Sequence, residues 1–237
     1  MNKITKTAAL LAAALVLPTA AFASSEIGVS PLRVNFTPTS KYKDVKVSNI
    51  GKSKAYVKVT SFKVLNPGTK DSKQVVMKNP AKFGLITSPR KLVILPGTAK
   101  VIRLVPTIRN NKQDLVYNVQ IMPVEPHLMA DKHAKKDVVG GIRVVIGYDV
   151  GVVFRPAHAH AKLSANRHGK HVTIHNSGNT NVILTQGKQC NSHGKACKSL
   201  PEHRLYAGNT WSFMAPYATK LSYTQTLNGK RSELSVS

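Results

Sequence analysis

The 237-residue chain carries 35 lysines and arginines against 10 aspartates and glutamates, a formal net charge of +25 at pH 7. A balance this basic favours a nucleic acid, an anionic membrane or an acidic protein as partner. The few carboxylates argue against an enzyme that uses paired carboxylates for acid–base chemistry.

The first residues indicate export. Lys3 and Lys6 precede an apolar run over residues 8–17, and Ala21-Phe22-Ala23 supplies the small residues that a signal peptidase recognises. This pattern predicts a secretory signal peptide over residues 1–23, and the apolar run is short for a membrane span. We therefore expect a soluble, exported protein with no membrane insertion and no nucleic-acid partner.

Short apolar runs with a period of two follow along the rest of the chain. Examples are Val45 with Val47, Val57 with Val59, and Val172 with Ile174. Turn signals separate the runs, namely Asn66-Pro67-Gly68, Asn79-Pro80, Pro96-Gly97, Ser177-Gly178-Asn179 and Asn228-Gly229. Short strands with regular turns predict an all-β fold built from sandwiches.

A domain boundary is predicted near Pro156, because proline cannot continue a sheet ladder and the residues around it are small or polar. The first domain would span residues 24–156 and the second residues 157–237. Each has about the size of an immunoglobulin-like sandwich.

The two cysteines, Cys190 and Cys197, are separated by six residues that include Gly194. In an oxidising compartment this spacing predicts a local disulfide that closes a hairpin loop. A metal site formed by both thiolates and His193 is the alternative.

An apolar strand is predicted over residues 141–150. Its alternate residues share one face, and they are Ile142, Val144, Ile146, Tyr148 and Val150. Such a strand either adds to an open sheet of a partner, with alternate side chains filling pockets, or lies inside its own sandwich. The pattern alone leaves both interpretations open.

The order of several motifs resembles the periplasmic chaperones of chaperone–usher pilus assembly. In the first half these are Val29-Ser30-Pro31-Leu32-Arg33-Val34-Asn35-Phe36, Val47-Ser48-Asn49, Thr87-Ser88-Pro89, Leu95-Pro96-Gly97, Val101-Ile102-Arg103-Leu104, Leu115-Val116-Tyr117-Asn118-Val119 and Val153-Phe154-Arg155-Pro156. In the second half they are Thr173-Ile174-His175-Asn176-Ser177-Gly178-Asn179 and Leu205-Tyr206-Ala207-Gly208. The absence of cysteine from the first half favours the short-loop branch of that family or a divergent relative.

The resemblance implies two immunoglobulin-like domains in a boomerang arrangement with a binding cleft between them. It also implies a chaperone that is not an enzyme and needs no cofactor. Its partners would be pilus subunits (pilins), which lack the last strand of their own sandwich, and an outer-membrane usher that releases them. The chaperone's seventh strand would take the place of the missing strand.

Site residues follow from the resemblance. Arg33 matches the basic residue that holds the subunit's C-terminal carboxylate, and a guanidinium can hold a carboxylate through two hydrogen bonds. Gly151 stands where many relatives have a second basic residue, a lysine, so Arg103 is predicted to complete the anchor. Ile142, Val144 and Ile146 are the predicted subunit-binding residues, whereas Tyr148 and Val150 are assigned to the core.

The segment from Glu125 to Val139 is predicted to be a loop that becomes ordered on binding of a subunit. An exposed apolar edge promotes aggregation. Transient self-association that covers the apolar strand therefore stays open for the free chain.

Two other functions remain as alternatives. A periplasmic protein could bind copper, nickel or zinc through its histidines, which are His158, His160, His168, His171, His175, His193 and His203. An immunoglobulin-like adhesive surface protein would share the fold and the export signal, but would need neither Arg33 in a cleft nor an exposed apolar strand.

Overall fold

The computed structural model describes residues 26–124, 145–227 and 229–237. The predicted signal peptide, the predicted loop before the apolar strand, and Ile142 and Val144 lie outside these ranges. No helix in the described ranges is long and apolar enough to cross a membrane.

Among the residues just given, strands dominate both halves of the chain, and one four-residue helix lies between the fifth and sixth strands. The elements up to residue 154 are β1 (Ile27–Ser30), β2 (Arg33–Phe36), β3 (Lys43–Asn49), β4 (Ala55–Leu65), β5 (Lys73–Val76), α1 (Pro80–Phe83), β6 (Leu85–Ser88), β7 (Lys91–Ile94), β8 (Ala99–Pro106), β9 (Leu115–Val124) and β10 (Tyr148–Phe154). Those that follow are β11 (Leu163–His168), β12 (His171–Asn176), β13 (Val182–Cys190), β14 (Cys197–Ser199), β15 (His203–Leu205), β16 (Thr210–Met214), β17 (Leu221–Leu227) and β18 (Lys230–Val236).

The first ten strands form two facing sheets. One has the order β1-β3-β8-β6, and the other has the order β2-β10-β9-β4-β5, with β7 also paired to β4. The chain changes sheet between β1 and β2, so that β1 pairs with β3 while β2 pairs with β10. The β2–β10 pair is parallel, and the β10–β9 pair is antiparallel.

The core between these sheets comes from the alternating residues that the sequence predicted. Val45, Val47, Val57 and Val59 are all buried. Three aromatic rings close the end of the sandwich nearest the second half of the chain. The ring of Phe154 contacts those of Phe36 and Tyr117, with centroids 4.9 Å apart in both pairs. Such ring contacts add to the stabilisation from apolar burial.

Strands β11 to β18 form a second pair of sheets, with orders β11-β12-β16 and β14-β13-β17-β18; β15 pairs with β13. Their separate core includes Val172 and Ile174, as the period of two predicted. Cys190 and Cys197 face each other in the β13–β14 register and form the predicted disulfide. The thiolates are therefore not available for the alternative metal site with His193.

The predicted all-β fold with two sandwiches is confirmed. One core cluster ends at Phe154 and the other begins at Val172. The boundary at residue 156, with domains over residues 24–156 and 157–237, stays a prediction.

Candidate functional site

Strand β10 has a partly open edge. It pairs with β9 along all seven of its residues. On its other side it pairs with β2 only from Gly151 to Phe154. Within the described ranges, the segment from Tyr148 to Val150 therefore has no partner on the β2 side, which leaves backbone groups free to pair with an added strand.

The residues just before β10 differ from the expected continuous strand. Val145, Ile146 and Gly147 are described but are not part of a strand. A strand needs a neighbour that accepts its backbone hydrogen bonds, and the described β10–β9 ladder begins only at Tyr148. The side chain of Met122 also packs closely against Gly147, where a Cβ atom would clash with its sulfur.

Apolar side chains on this segment lie in solvent. Ile146 is 60% exposed and Val145 is 42% exposed, whereas Val150 is fully buried. The prediction that Val150 belongs to the core is confirmed, and Tyr148 packs against the same core while partly exposed. The subunit-binding role of Ile146 stays a prediction, as do the roles of Ile142 and Val144, which lie outside the described residues.

Arg33 is the first residue of β2 and is exposed. Its register partner on β10 is Gly151, whose N–H donates to the carbonyl oxygen of Leu32 at 3.0 Å. A Cβ atom on Gly151 would have Leu32 O as its nearest neighbour, at 4.0 Å. The position beside Arg33 therefore has room for a side chain that this chain does not carry.

Arg103 lies in the opposite sheet, on β8, and is bound elsewhere. Its Nε and Nη2 atoms donate to the two carboxylate oxygens of Asp44, each at 2.9 Å, and its guanidinium lies 4.1 Å from the ring centroid of Tyr42. The hydrogen bond from Arg103 lowers the pKa of Asp44. The structure thus gives Arg103 a carboxylate partner of its own and records no interaction between it and Arg33, so its role in the anchor stays a prediction without support.

A polar network joins the two sandwiches at the end of β10. Asp114, just before β9, accepts hydrogen bonds from Thr180 Oγ1 at 2.8 Å and from the backbone and side-chain nitrogens of Asn181 at 2.7 and 2.5 Å. Arg155 Nη1 donates to Thr180 Oγ1 at 2.5 Å. Burial lowers the pKa of Arg155, and the Asp114 carboxylate opposes that shift.

Arg204, on β15, joins this network from the second sandwich. Its Nη1 donates to Asn181 Oδ1 at 2.5 Å. Burial is the largest influence on the pKa of Arg204 and lowers it; Tyr206 and Asp114 raise it, whereas the positive charges of Arg33 and Arg155 lower it further. Arg155 and Arg204 both bind the segment Thr180–Asn181, Arg33 lies beside Gly151 on β10, and the charges of Arg33 and Arg155 act on Arg204. We call Arg33, Arg155 and Arg204 the arginine cluster.

Tyr206 and Asn209 pack the turn after β4 against the second sandwich. Asn209 Nδ2 donates to the carbonyl oxygen of Pro67 at 2.8 Å. Gly68 has φ +75° and lies directly under the Tyr206 ring, so a Cβ atom there would be 2.7 Å from the ring. Glycine is suited to this turn both for its backbone conformation and for the close approach.

The sequence singled out Arg33, whose anchor role stays a prediction, and used Arg155 only as part of a motif; it missed Asp114 and Arg204. Arg204 immediately precedes the motif Leu205-Tyr206-Ala207-Gly208, which was used only to recognise the second domain. The motif placed a charged residue next to a turn, but nothing in the pattern indicated that this turn faces Arg33.

The histidines do not form a metal centre in the described part of the chain, where no group of three or more histidines, cysteines and carboxylates could hold an ion. His160 Nδ1 lies 3.1 Å from the carbonyl oxygen of His158, and His175 Nδ1 lies 3.0 Å from Thr210 Oγ1. These contacts hold the rings against their own strands and turns.

Known proteins share this architecture. No protein-family model matches the chain. Among solved structures, the class 5 fimbriae chaperone CfaA is 20% identical and superposes with a TM-score of 0.68, covering 89% of this chain and 98% of that one. The Escherichia coli chaperone DraB is 14% identical and superposes with a TM-score of 0.61, covering 90% of this chain and 98% of that one. The chain has the fold of the fimbrial chaperones.

Two curated proteins are similar to the chain in sequence, and both are named as fimbrial subunits of Escherichia coli. The chain is 29% identical over 149 residues to one from the CFA/I fimbriae, a match that spans 62% of each protein. It is 25% identical over 172 residues to one from the CS1 fimbriae, spanning 70% of this chain and 71% of the relative. The resemblance to chaperone–usher chaperones, first recognised from the order of the motifs, is confirmed at the level of the fold.

Proposed function

We propose that the chain is a periplasmic chaperone that holds pilus subunits by lending them a β-strand and delivers them to an outer-membrane usher. One observation carries the proposal. The open edge of β10 continues into exposed apolar residues, Val145 and Ile146, on the side of β10 where β2 begins with Arg33.

The arrangement of β2 suggests how a strand from the subunit would add. β2 lies parallel to β10 and occupies its edge only from Gly151 onwards. A strand added to the same edge before Gly151 must end where β2 begins. If that strand also runs parallel to β10, its C-terminal carboxylate arrives at Arg33.

Arg33 suits this role because a guanidinium stays charged and can donate two parallel hydrogen bonds to a carboxylate. In the described part of the chain the single salt bridge is the one between Asp44 and Arg103. Among the described residues, Arg33 therefore has no carboxylate that an incoming chain terminus would have to displace.

Names of the structural neighbours support the kind of partner. One neighbour belongs to a chaperone–tip adhesin complex described as vital for activation of CFA/I fimbriae biogenesis, with a TM-score of 0.66. Another belongs to the CsuC–CsuE chaperone–tip adhesion subunit complex of Acinetobacter baumannii, with a TM-score of 0.58. We infer that this chain likewise binds fimbrial subunits.

The test compares two neighbouring charge insertions, Ile146→Asp and Val145→Asp, in a periplasmic pull-down with candidate subunits from the same genome. Alternate residues of an added strand point to opposite faces. Only Ile146 shares the face of Val150, so only its carboxylate would enter the subunit's core. Burial of an isoleucine favours binding by roughly 1.5–3 kcal/mol before ordering costs, so we expect Ile146→Asp to lose at least tenfold in recovered subunit.

Val145→Asp is the matched control and should recover the subunit nearly as well as the wild type. Both side chains are exposed in the free chain, so neither change should alter its thermal unfolding. Ile142→Asp and Val144→Asp extend the test along the predicted face. Equal recovery by Ile146→Asp and Val145→Asp would refute strand donation and favour an adhesive immunoglobulin-like protein.

A further inference from the structure

The arginine cluster has more positive charge than its surroundings neutralise. It contains three guanidinium groups, Arg33, Arg155 and Arg204, and the carboxylate that acts on it electrostatically is Asp114. Like charges held close together in a partly dehydrated place repel each other. Such a cluster gains stability from any anion that enters it.

Both carboxylate oxygens of Asp114 already accept hydrogen bonds. Its Oδ1 accepts a hydrogen bond from Thr180, and its Oδ2 accepts two from Asn181. Arg204 in turn donates to a neutral acceptor, the side-chain oxygen of Asn181. Within the described ranges none of the three arginines is within salt-bridge distance of a carboxylate.

The missing side chain at Gly151 leaves space beside this cluster. Gly151 is the register partner of Arg33, and a Cβ atom there would meet nothing closer than 4.0 Å. Gly151, Val153 and Arg155 alternate along one face of β10, with Gly151 exposed and Val153 buried, so the space beside Gly151 lies on the face that ends in the network with Thr180. An anion beside Arg33 could therefore approach the second sandwich without passing a side chain at position 151.

We propose that Arg204 is the second cation of the carboxylate anchor and that it acts with Arg33 from the second sandwich, in place of a lysine on β10. The proposal rests on the proposed function only for the identity of the ligand, which is the C-terminal carboxylate of a pilus subunit. Arg155 is a positioning residue, because its hydrogen bonds to Thr180 and to the Asn181 carbonyl oxygen hold the segment that orients Arg204.

A two-sandwich anchor has a consequence that a lysine on β10 would not have. The carboxylate would be held by one group from each sandwich. Binding would then resist any movement of the sandwiches apart, and any loosening of the Asp114–Asn181 contacts would weaken binding.

The first experiment uses sodium acetate as the probe and needs no pilus protein. The chain without residues 1–23, labelled with ¹⁵N, is titrated with acetate against chloride at constant ionic strength, and the arginine Nε–Hε signals are followed. We expect the signals of Arg33 and Arg204 to move together and to saturate. Arg204→Gln, which keeps a hydrogen-bond donor for Asn181, should raise the apparent Kd for acetate at least fivefold.

Arg231→Gln is the matched control, because Arg231 is an exposed arginine on β18 of the same sandwich. It should leave the apparent Kd unchanged. The proposal is overturned if Arg204 does not move with Arg33, if all arginine signals drift without saturation, or if Arg204→Gln binds acetate as the wild type does.

The second experiment adds Arg33→Gln, Arg204→Gln and Arg231→Gln to the subunit pull-down. We expect the first two to lose at least fivefold in recovered subunit and the third to lose none. If the Ile146→Asp variant loses the subunit while Arg204→Gln retains it, strand donation stands and the Arg204 proposal fails. If acetate binds Arg33 and Arg204 but the wild type retains no subunit, the anion site stands and the proposed function fails.

Discussion

His203 and Trp211 form an aromatic stack at the edge of the second core. Their ring centroids are 4.4 Å apart with an interplanar angle of 10°, and Trp211 also stacks on Phe213 at 4.4 Å. Burial lowers the pKa of His203. Because the chain has one tryptophan, its fluorescence reports on this histidine directly.

The fluorescence of Trp211 should fall as pH is lowered, because a protonated imidazole quenches a stacked indole. A histidine whose folded pKa lies below its unfolded value of about 6.5 stabilises the fold above that value. This contribution is lost as pH falls through the folded pKa. We therefore expect a quenching midpoint below about 6.5, and a decline in thermal stability over the same range.

His203→Gln should abolish the quenching step, and His171→Gln, which changes an exposed histidine on β12, should leave it intact. A midpoint above about 6.5 would contradict the prediction. It would mean that attraction between the imidazolium and the indole face outweighs the cost of burial.

At the level of single residues, the sequence identified those whose partners are close along the chain or follow from a recognised motif. The cysteine pair was found in this way, and Arg33 was singled out by a motif, although its anchor role stays a prediction. Asp114 and Arg204 were not, because their partner Asn181 lies 67 and 23 residues away in sequence. Neither pairing follows from a period or a spacing.

The hairpin of β13 and β14 is closed by the disulfide but is also held by its own turn. The side-chain oxygen of Asn191 accepts from the N–H groups of Lys195 and Ala196 at 3.0 and 3.2 Å. The backbone N–H of Asn191 donates to the carbonyl of Ala196 at 2.9 Å. We therefore expect the loop to keep part of its order when the disulfide is reduced.

Replacing both cysteines by alanine should lower the free energy of unfolding by about 2 kcal/mol, near the small end of the range for disulfides because the closed loop is short. The check is urea denaturation of the chain with and without the double substitution. Asn191→Ala in the double-alanine background should cost a further ~1 kcal/mol. A loss well above roughly 3 kcal/mol for the cysteine change alone would show that the loop has no order of its own.

Strands were well predicted where alternate residues face a core of the same sandwich. The valine pairs of β3 and β4 are buried as the period of two required. The predicted strand over residues 141–150 is different, since of its described residues only those from Tyr148 onwards are paired. Periodicity records which residues can share a face, but not whether a neighbouring strand is present.

The whole molecule carries a large uncompensated charge. Its formal net charge is +25, and one salt bridge is found across the described ranges. Charges that are not paired locally repel one another through the field of the whole protein. Salt shortens the range of this repulsion from roughly 30 Å at 0.01 M to about 8 Å at 0.15 M.

The thermal midpoint of the free chain should therefore rise with sodium chloride between about 0.01 and 0.15 M. We expect the midpoint to rise by about 3 °C, which corresponds to a gain of about 1 kcal/mol in the free energy of unfolding for a chain of this size. Circular dichroism melts measure it, and choline chloride should act as sodium chloride does. A midpoint that falls with salt would mean that local attractions dominate over the net charge.

The position where β2 begins also limits the length of a strand that adds to β10. A strand that adds to β10 and ends against Arg33 has its last residue beside Val150, so the side chain that meets Ile146 stands about four residues before its carboxylate. Under the proposed function, a subunit one residue longer would present its opposite face to β10. The chain would thus select its cargo by how far the apolar residues of the subunit lie from its C-terminus, as well as by what those residues are.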